Sequence, residues 1–147
     1  MIADLLNPRG QHGAGAEYLK IFLRDCLGME KMDTKLADQA IVTAEYAIDD
    51  ERRIDIVIEI GSYFLPIEVK IYAADQKSQC FDYYQYAKRR DAQAKVYYLT
   101  LDGHRPGKDS TSSGSQSVPE EDIVCLSFRE HILNWLKACK NCENTGM

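Results

Sequence analysis

The stretch Arg53-Ile-Asp-Ile-Val-Ile-Glu-Ile-Gly-Ser-Tyr-Phe-Leu-Pro-Ile-Glu-Val-Lys-Ile71 decides how the chain folds. β-Branched residues dominate it, and apolar and polar side chains alternate on both sides of Gly61-Ser62. A two-residue loop with glycine first suits a type II′ hairpin turn. With that turn Ile60 faces Tyr63, Ile58 faces Leu65, Ile56 faces Ile67 and Ile54 faces Val69, an almost wholly aliphatic layer. The other face carries Asp55 opposite Glu68, with Lys70 further along the same side. A slip of one residue would drive the charges into the apolar layer, so the pattern selects its own register.

Directly opposed strand residues have Cβ atoms about 4.5–5.5 Å apart. Two carboxylates that close repel one another unless a cation lies between them, and Mg²⁺ is commonly held by one or two carboxylates. Lys70 is placed to neutralise the pair partly or to serve the chemistry. Alternation alone favours a solvent-facing hairpin with a Glu–Lys ion pair over a site. Pro66 has no N–H to give a ladder, which predicts a bulge or a missing neighbour on one side.

Working outward, the apolar residues Tyr18, Leu19, Phe22, Leu23, Cys26 and Leu27 recur at helical spacing and predict a helix near 15–27, stopped at Gly28. Residues 40–48 predict a strand before the hairpin. Asp75 is a suitable N-cap for a helix over about 76–90. Along it Gln76, Gln79, Tyr83, Tyr86 and Arg90 fall on a polar side, and Cys80, Phe81, Tyr84 and Ala87 on an apolar one. Strands follow at 95–101 and 122–126. Ser127-Phe-Arg-Glu130 reads as a capping box opening a last helix with Ile132, Trp135, Leu136 and Cys139 on one stripe. Gly, Ser, Pro and Thr dominate residues 103–119, which predicts a flexible loop. An antiparallel meander followed by one βαβ crossover gives an α/β domain with a mixed central sheet flanked by helices, an αβββαβ core spanning 1–147 as a single unit.

The 147 residues suffice for one core. Five cysteines, an odd number spread through predicted helices and strands, suit reduced thiols rather than a disulfide framework. Cys139-x-x-Cys142 lacks a second such pair and is weak as a metal motif. The absence of a long apolar run or a signal-like start predicts a cytoplasmic protein with no membrane partner. Net charge is −5, so nucleic acid cannot be attracted by a bulk field and would be held by a local patch or through a metal. Arg52-Arg53 and Lys88-Arg89-Arg90 are candidate patches, although taken alone both read better as solvated charged surface.

Together, Arg53-Ile-Asp55, Ile67-Glu-Val-Lys70-Ile71 and Ala74-Asp-Gln76-x-x-Gln79-x-x-x-Tyr83-Tyr84 resemble the Asp…Glu-x-Lys…Gln pattern of PD-(D/E)XK nucleases. Leu5-Leu-Asn-Pro-Arg-Gly-x-His12-Gly13 and Tyr98-Leu-Thr-Leu-Asp-Gly103 are similar to a bacterial, defence-associated branch of that superfamily. The resemblance implies a restriction-endonuclease-like fold and metal-dependent hydrolysis of phosphodiester bonds. It implies that Asp55, Glu68 and the Val69 carbonyl bind Mg²⁺ or Mn²⁺, with Glu17 of the first helix as a further ligand. Lys70 would act on the water and Gln79 would steady the site, while Gln76, Tyr83, Tyr86 and Arg90 would contact nucleic acid, DNA in preference to RNA. A homodimer is compatible with this class. His12 in its glycine-rich turn reads as structural. The alternative is a catalytically silent module that uses the same fold to bind nucleic acid or protein.

Overall fold

The computed structural model describes residues 1–144. Strands β1 (Ile41–Ala47), β2 (Arg53–Ile60) and β3 (Tyr63–Lys70) form the antiparallel meander. Helix α4 (Gln79–Arg90) then crosses over to β4 (Val96–Thr100), which lies parallel to β3. β7 (Ile123–Ser127) is parallel to β4 and completes a five-stranded sheet ordered β1-β2-β3-β4-β7. The hairpin forms in the expected register: Ile60 faces Tyr63, and the ladder runs to Ile56 opposite Ile67. Gly61 adopts φ 58°, the sign that a primed turn requires. Pro66 pairs with Val57 on one side, and pairing with β4 begins only at Ile67, so the proline lacks its second neighbour.

Helices cover both faces. On one, α1 (Ile2–Leu6), α2 (Glu17–Asp25) and α6 (Leu133–Asn144) pack against Ile56, Ile58, Ile60, Leu65 and Ile67. Trp135 anchors this layer, edge-on to Phe22 at 5.3 Å, with its indole N–H donating to the Tyr18 carbonyl at 2.8 Å. Ser127 Oγ accepts from Glu130 N at 3.1 Å, half of the expected capping box, and a π-helical turn over Phe128–Ile132 leads into α6. On the other face α4 packs Tyr83 and Ala87 on Val57 and Phe64, and Cys80, Phe81 and Tyr84 on Val96, Tyr98 and Ile123. The hairpin therefore does not face solvent.

The structure departs from the sequence reading in three places. Ile54 leaves the aliphatic layer and joins Val57 and Phe64 under α4, so the alternation of β2 slips at Asp55. Its partner Tyr46 turns to the same cluster, one residue after Glu45, which takes φ 53°. Asp75 does not cap α4. The helix begins at Gln79 behind Ser78 at φ 58°, and Asp75 instead accepts from Tyr98 OH and from Gly107 N. Finally, residues 103–119 contain a helical turn, α5 (Lys108–Thr111), and a two-stranded hairpin, β5 (Ser112–Ser113) with β6 (Gln116–Ser117). Two buried anchors hold this polar segment against α4: Val118 enters the Cys80–Phe81–Tyr84 cluster, and Ser110 Oγ accepts from Cys80 N at 3.1 Å. The Asp109 carbonyl accepts from Ser78 N at 2.7 Å, so this segment satisfies donors at the start of α4 that a cap would otherwise serve.

The Leu5–Gly15 segment is a structural knot of hydrogen bonds. Ala14 N donates to His12 Nδ1 at 2.9 Å, which leaves Nε2 to donate to the Asn7 carbonyl at 2.9 Å. The ring lies 4.8 Å from that of Tyr18. A Cβ on Gly10 would meet the Asp4 carbonyl at 2.3 Å, so only glycine fits there. His12 is thus a local brace, as expected.

Candidate active site

The ladder between β2 and β3 ends at Ile56–Ile67, and a side chain continues it: Val69 N donates to Asp55 Oδ2 at 2.8 Å. The strands separate here, and the gap admits the Asp55 carboxylate. Glu68 and Lys70 project to the α4 side, where both are nearly inaccessible, at 2% and 8% exposure. Lys70 Nζ lies 3.2 Å from Glu68 Oε2 and 3.4 Å from the Ala74 carbonyl. Asp55, Glu68 and Lys70 therefore converge at the carboxyl end of β3, beside the start of α4.

The electrostatics of Glu68 are unusual. Burial, then a carboxyl–carboxyl contact and charge repulsion with Asp55, push its pKa from 4.5 up to about 8, against the opposing pull of Lys70. Its Oε2 meets Lys70, whereas Oε1 is buried without a hydrogen-bond partner. Gln79 repeats the pattern: its Nε2 donates to Tyr83 OH at 3.1 Å, and its buried Oε1 is likewise unmet. Buried oxygens are ordinarily satisfied. Two unmet acceptors in one region, with two crowded carboxylates, form a set of hard oxygen donors that suits a small divalent cation.

Tyr83, expected on a nucleic-acid surface, is buried at 1% exposure and cannot contact a substrate there. Its hydroxyl donates to the Arg53 carbonyl at 2.6 Å, tying α4 to the start of β2 beside Asp55. The helical spacing put Tyr83 on a polar side because its hydroxyl counts as polar, while its ring behaves as core. Tyr86 and Arg90 do lie at the surface, but they serve one another. Arg90 stacks over Phe64 and Tyr86 and donates to Tyr46 OH at 2.8 Å. Gln76 is exposed and accepts from Arg52 at 3.1 Å. Glu17 is exposed on α2, 3.6 Å from Lys20 Nζ, and does not join Asp55 and Glu68; among the described residues no group of three or more His, Cys, Asp or Glu gathers as a metal cluster.

Sequence reasoning missed Arg52. Instead of a free basic patch it is a clamp, with Nε on Asp82, Nη1 on Gln76 and Nη2 on the Lys77 carbonyl. It fixes the connection that carries the Ala74 carbonyl to Lys70. These partners lie 24–30 residues away, so no local spacing signals them.

A mixed five-stranded sheet, helices on both faces and this Asp–Glu–Lys convergence define a restriction-endonuclease-like α/β domain. The chain belongs to the PD-(D/E)XK nuclease superfamily, whose pattern matches residues 1–146. Searches of curated proteins and of solved structures return no match.

Proposed function

We propose that this protein is a metal-dependent nuclease acting on nucleic acid, DNA in preference to RNA, through Asp55, Glu68, Lys70 and Gln79. The observation that carries the proposal is the buried, unmet Glu68 Oε1 next to Asp55, an arrangement costly to keep without a cation. Asp55, Glu68 and the Val69 carbonyl would hold Mg²⁺ or Mn²⁺. Such an ion supplies an activated water and neutralises charge developing on the phosphate.

The side chains divide the remaining work. Asp55 spans two tasks, since one carboxylate oxygen already fixes Val69 N and so orients the adjoining carbonyl. Lys70, held between Glu68 and the Ala74 carbonyl, would orient the attacking water through an ammonium N–H. Gln79, held by Tyr83 and with a buried, unmet carbonyl oxygen, would steady the site. No helix among the described residues is long and apolar enough to cross a membrane.

The test is plasmid nicking and cleavage of labelled DNA and RNA with Mg²⁺ or Mn²⁺. Wild type should cut, and Glu68→Gln should lose at least a hundredfold in rate. A folded wild type that cuts none of these substrates with either metal would overturn the proposal in favour of a binding module.

A further inference from the structure

The family pattern accounts for the buried residues of the site, but not for what lies on its rim. Two large side chains there are exposed. Tyr72, two residues beyond Lys70, is 94% exposed, and Leu101, the residue after β4, is 39% exposed. The parallel register sets Lys70 beside Thr100, so the chain leaves both strands at the same end and the two residues follow on adjacent strands. Tyr63, 38% exposed, belongs to the β2–β3 turn at the opposite end of the sheet. The half-buried Tyr86, by contrast, has a face covered by Arg90. Tyr72 keeps both faces open and lies two residues beyond the end of the strand that carries Glu68 and Lys70.

An almost fully exposed ring leaves its faces available to a flat apolar partner, and stacking on one would remove that apolar surface from water. Nucleobases offer such a surface, and stacking on aromatic rings is tolerant of sequence because every base has a π-face. In a duplex those faces are already stacked. The chain carries net charge −5, and the surface arginines Arg52 and Arg90 are committed to internal contacts, so phosphate attraction alone is a weak source of affinity.

We infer that Tyr72, supported by Leu101, stacks on an unpaired nucleobase next to the scissile phosphate, making single-stranded nucleic acid the substrate class of this site. The inference rests on the nuclease reading for its location, but the stacking contact itself can be measured without cleavage. Tyr72 is a binding and specificity residue: it touches the base and takes no part in the chemistry.

The experiment measures binding of fluorescent single-stranded DNA, single-stranded RNA and the corresponding DNA duplex to full-length Glu68→Gln protein. The same protein carrying Tyr72→Ala or Tyr72→Phe is measured beside it. Single strands should bind more tightly than duplex. Tyr72→Ala should weaken single-strand binding roughly 5- to 100-fold, as loss of one stacked base implies, while Tyr72→Phe retains it. In the otherwise wild-type enzyme the loss should fall on KM rather than on kcat. The two single-stranded probes decide whether the sugar also matters. Equal affinity for single strand and duplex, or a Tyr72→Ala protein that binds single strands as before, would overturn the inference. Tyr72-dependent binding by a wild type that cuts nothing would keep the inference and remove the nuclease reading, so the two failures are separable.

Discussion

Glu68→Gln in metal-free protein should remove much of the pH dependence of folding stability. The folded carboxyl holds its proton up to about pH 8, whereas its ordinary value is 4.5. A carboxyl that binds a proton more tightly folded than unfolded contributes fully below pH 4.5. That contribution falls as pH rises through the window to about 8, by about 1.4 kcal/mol per pH unit. The whole loss is on the order of 5 kcal/mol, a large share of the roughly 5–15 kcal/mol by which domains are stable. Glutamine keeps the shape and cannot ionise, so its curve should be nearly flat over this interval. The attraction of Lys70, 3.2 Å away, acts only on the ionised carboxyl and is already contained in the raised value, so the slope is the decisive quantity. Urea denaturation in the presence of a chelator, at intervals between pH 5 and 8.5, measures it. Wild-type and variant curves with the same slope would refute the reasoning that Glu68 is buried against Asp55 with a raised proton affinity.

Other perturbations test neighbouring parts of the structure. Tyr83→Phe removes the donor to the Arg53 carbonyl and should cost about 1–3 kcal/mol in denaturant melts, with loss of metal affinity as the end of β2 loosens. Lys70→Ala should still bind Mn²⁺ by calorimetry but fail to cut DNA, because its role concerns the water and not the ion. Val118→Asp places a charge in the cluster that holds residues 103–119 to α4. Trypsin should then cut at Lys108 while the sheet survives in far-ultraviolet circular dichroism; equal resistance in variant and wild type would contradict the anchoring role of Val118.

The hairpin was legible because its information is local. Gly61-Ser62 sets the turn and alternation sets the register as far as Ile56–Ile67, which puts Glu68 and Lys70 on one side of β3; Asp55 reaches them beyond the ladder, where the alternation of β2 slips. What escaped depends on distant partners. Ile54 changes face where β1 turns with it at Glu45 and Tyr46, which no pattern within β2 encodes. Asp75 looks like a cap until Gly107 and Tyr98 claim its two oxygens. Residues 103–119 are polar enough to read as a free loop, yet Ser110 and Val118 suffice to dock them on α4. Tyr83 shows a limit of binary patterning, since a tyrosine can be core by its ring and polar by its hydroxyl.

The central claim is that Asp55 and Glu68 form one cation site, and titration calorimetry with Mn²⁺ near pH 7 tests it most directly. Metal must displace the proton that Glu68 holds at this pH, so binding should release close to one proton per ion, seen as a dependence of the heat on the buffer's ionisation enthalpy. Asp55→Asn retains an oxygen for Val69 N but loses the charge, and it should abolish binding; Glu68→Gln should do the same. Wild-type binding with proton release, lost in both variants, is the predicted result. A wild type that binds no Mn²⁺, or variants that bind it as tightly as wild type, would contradict the account.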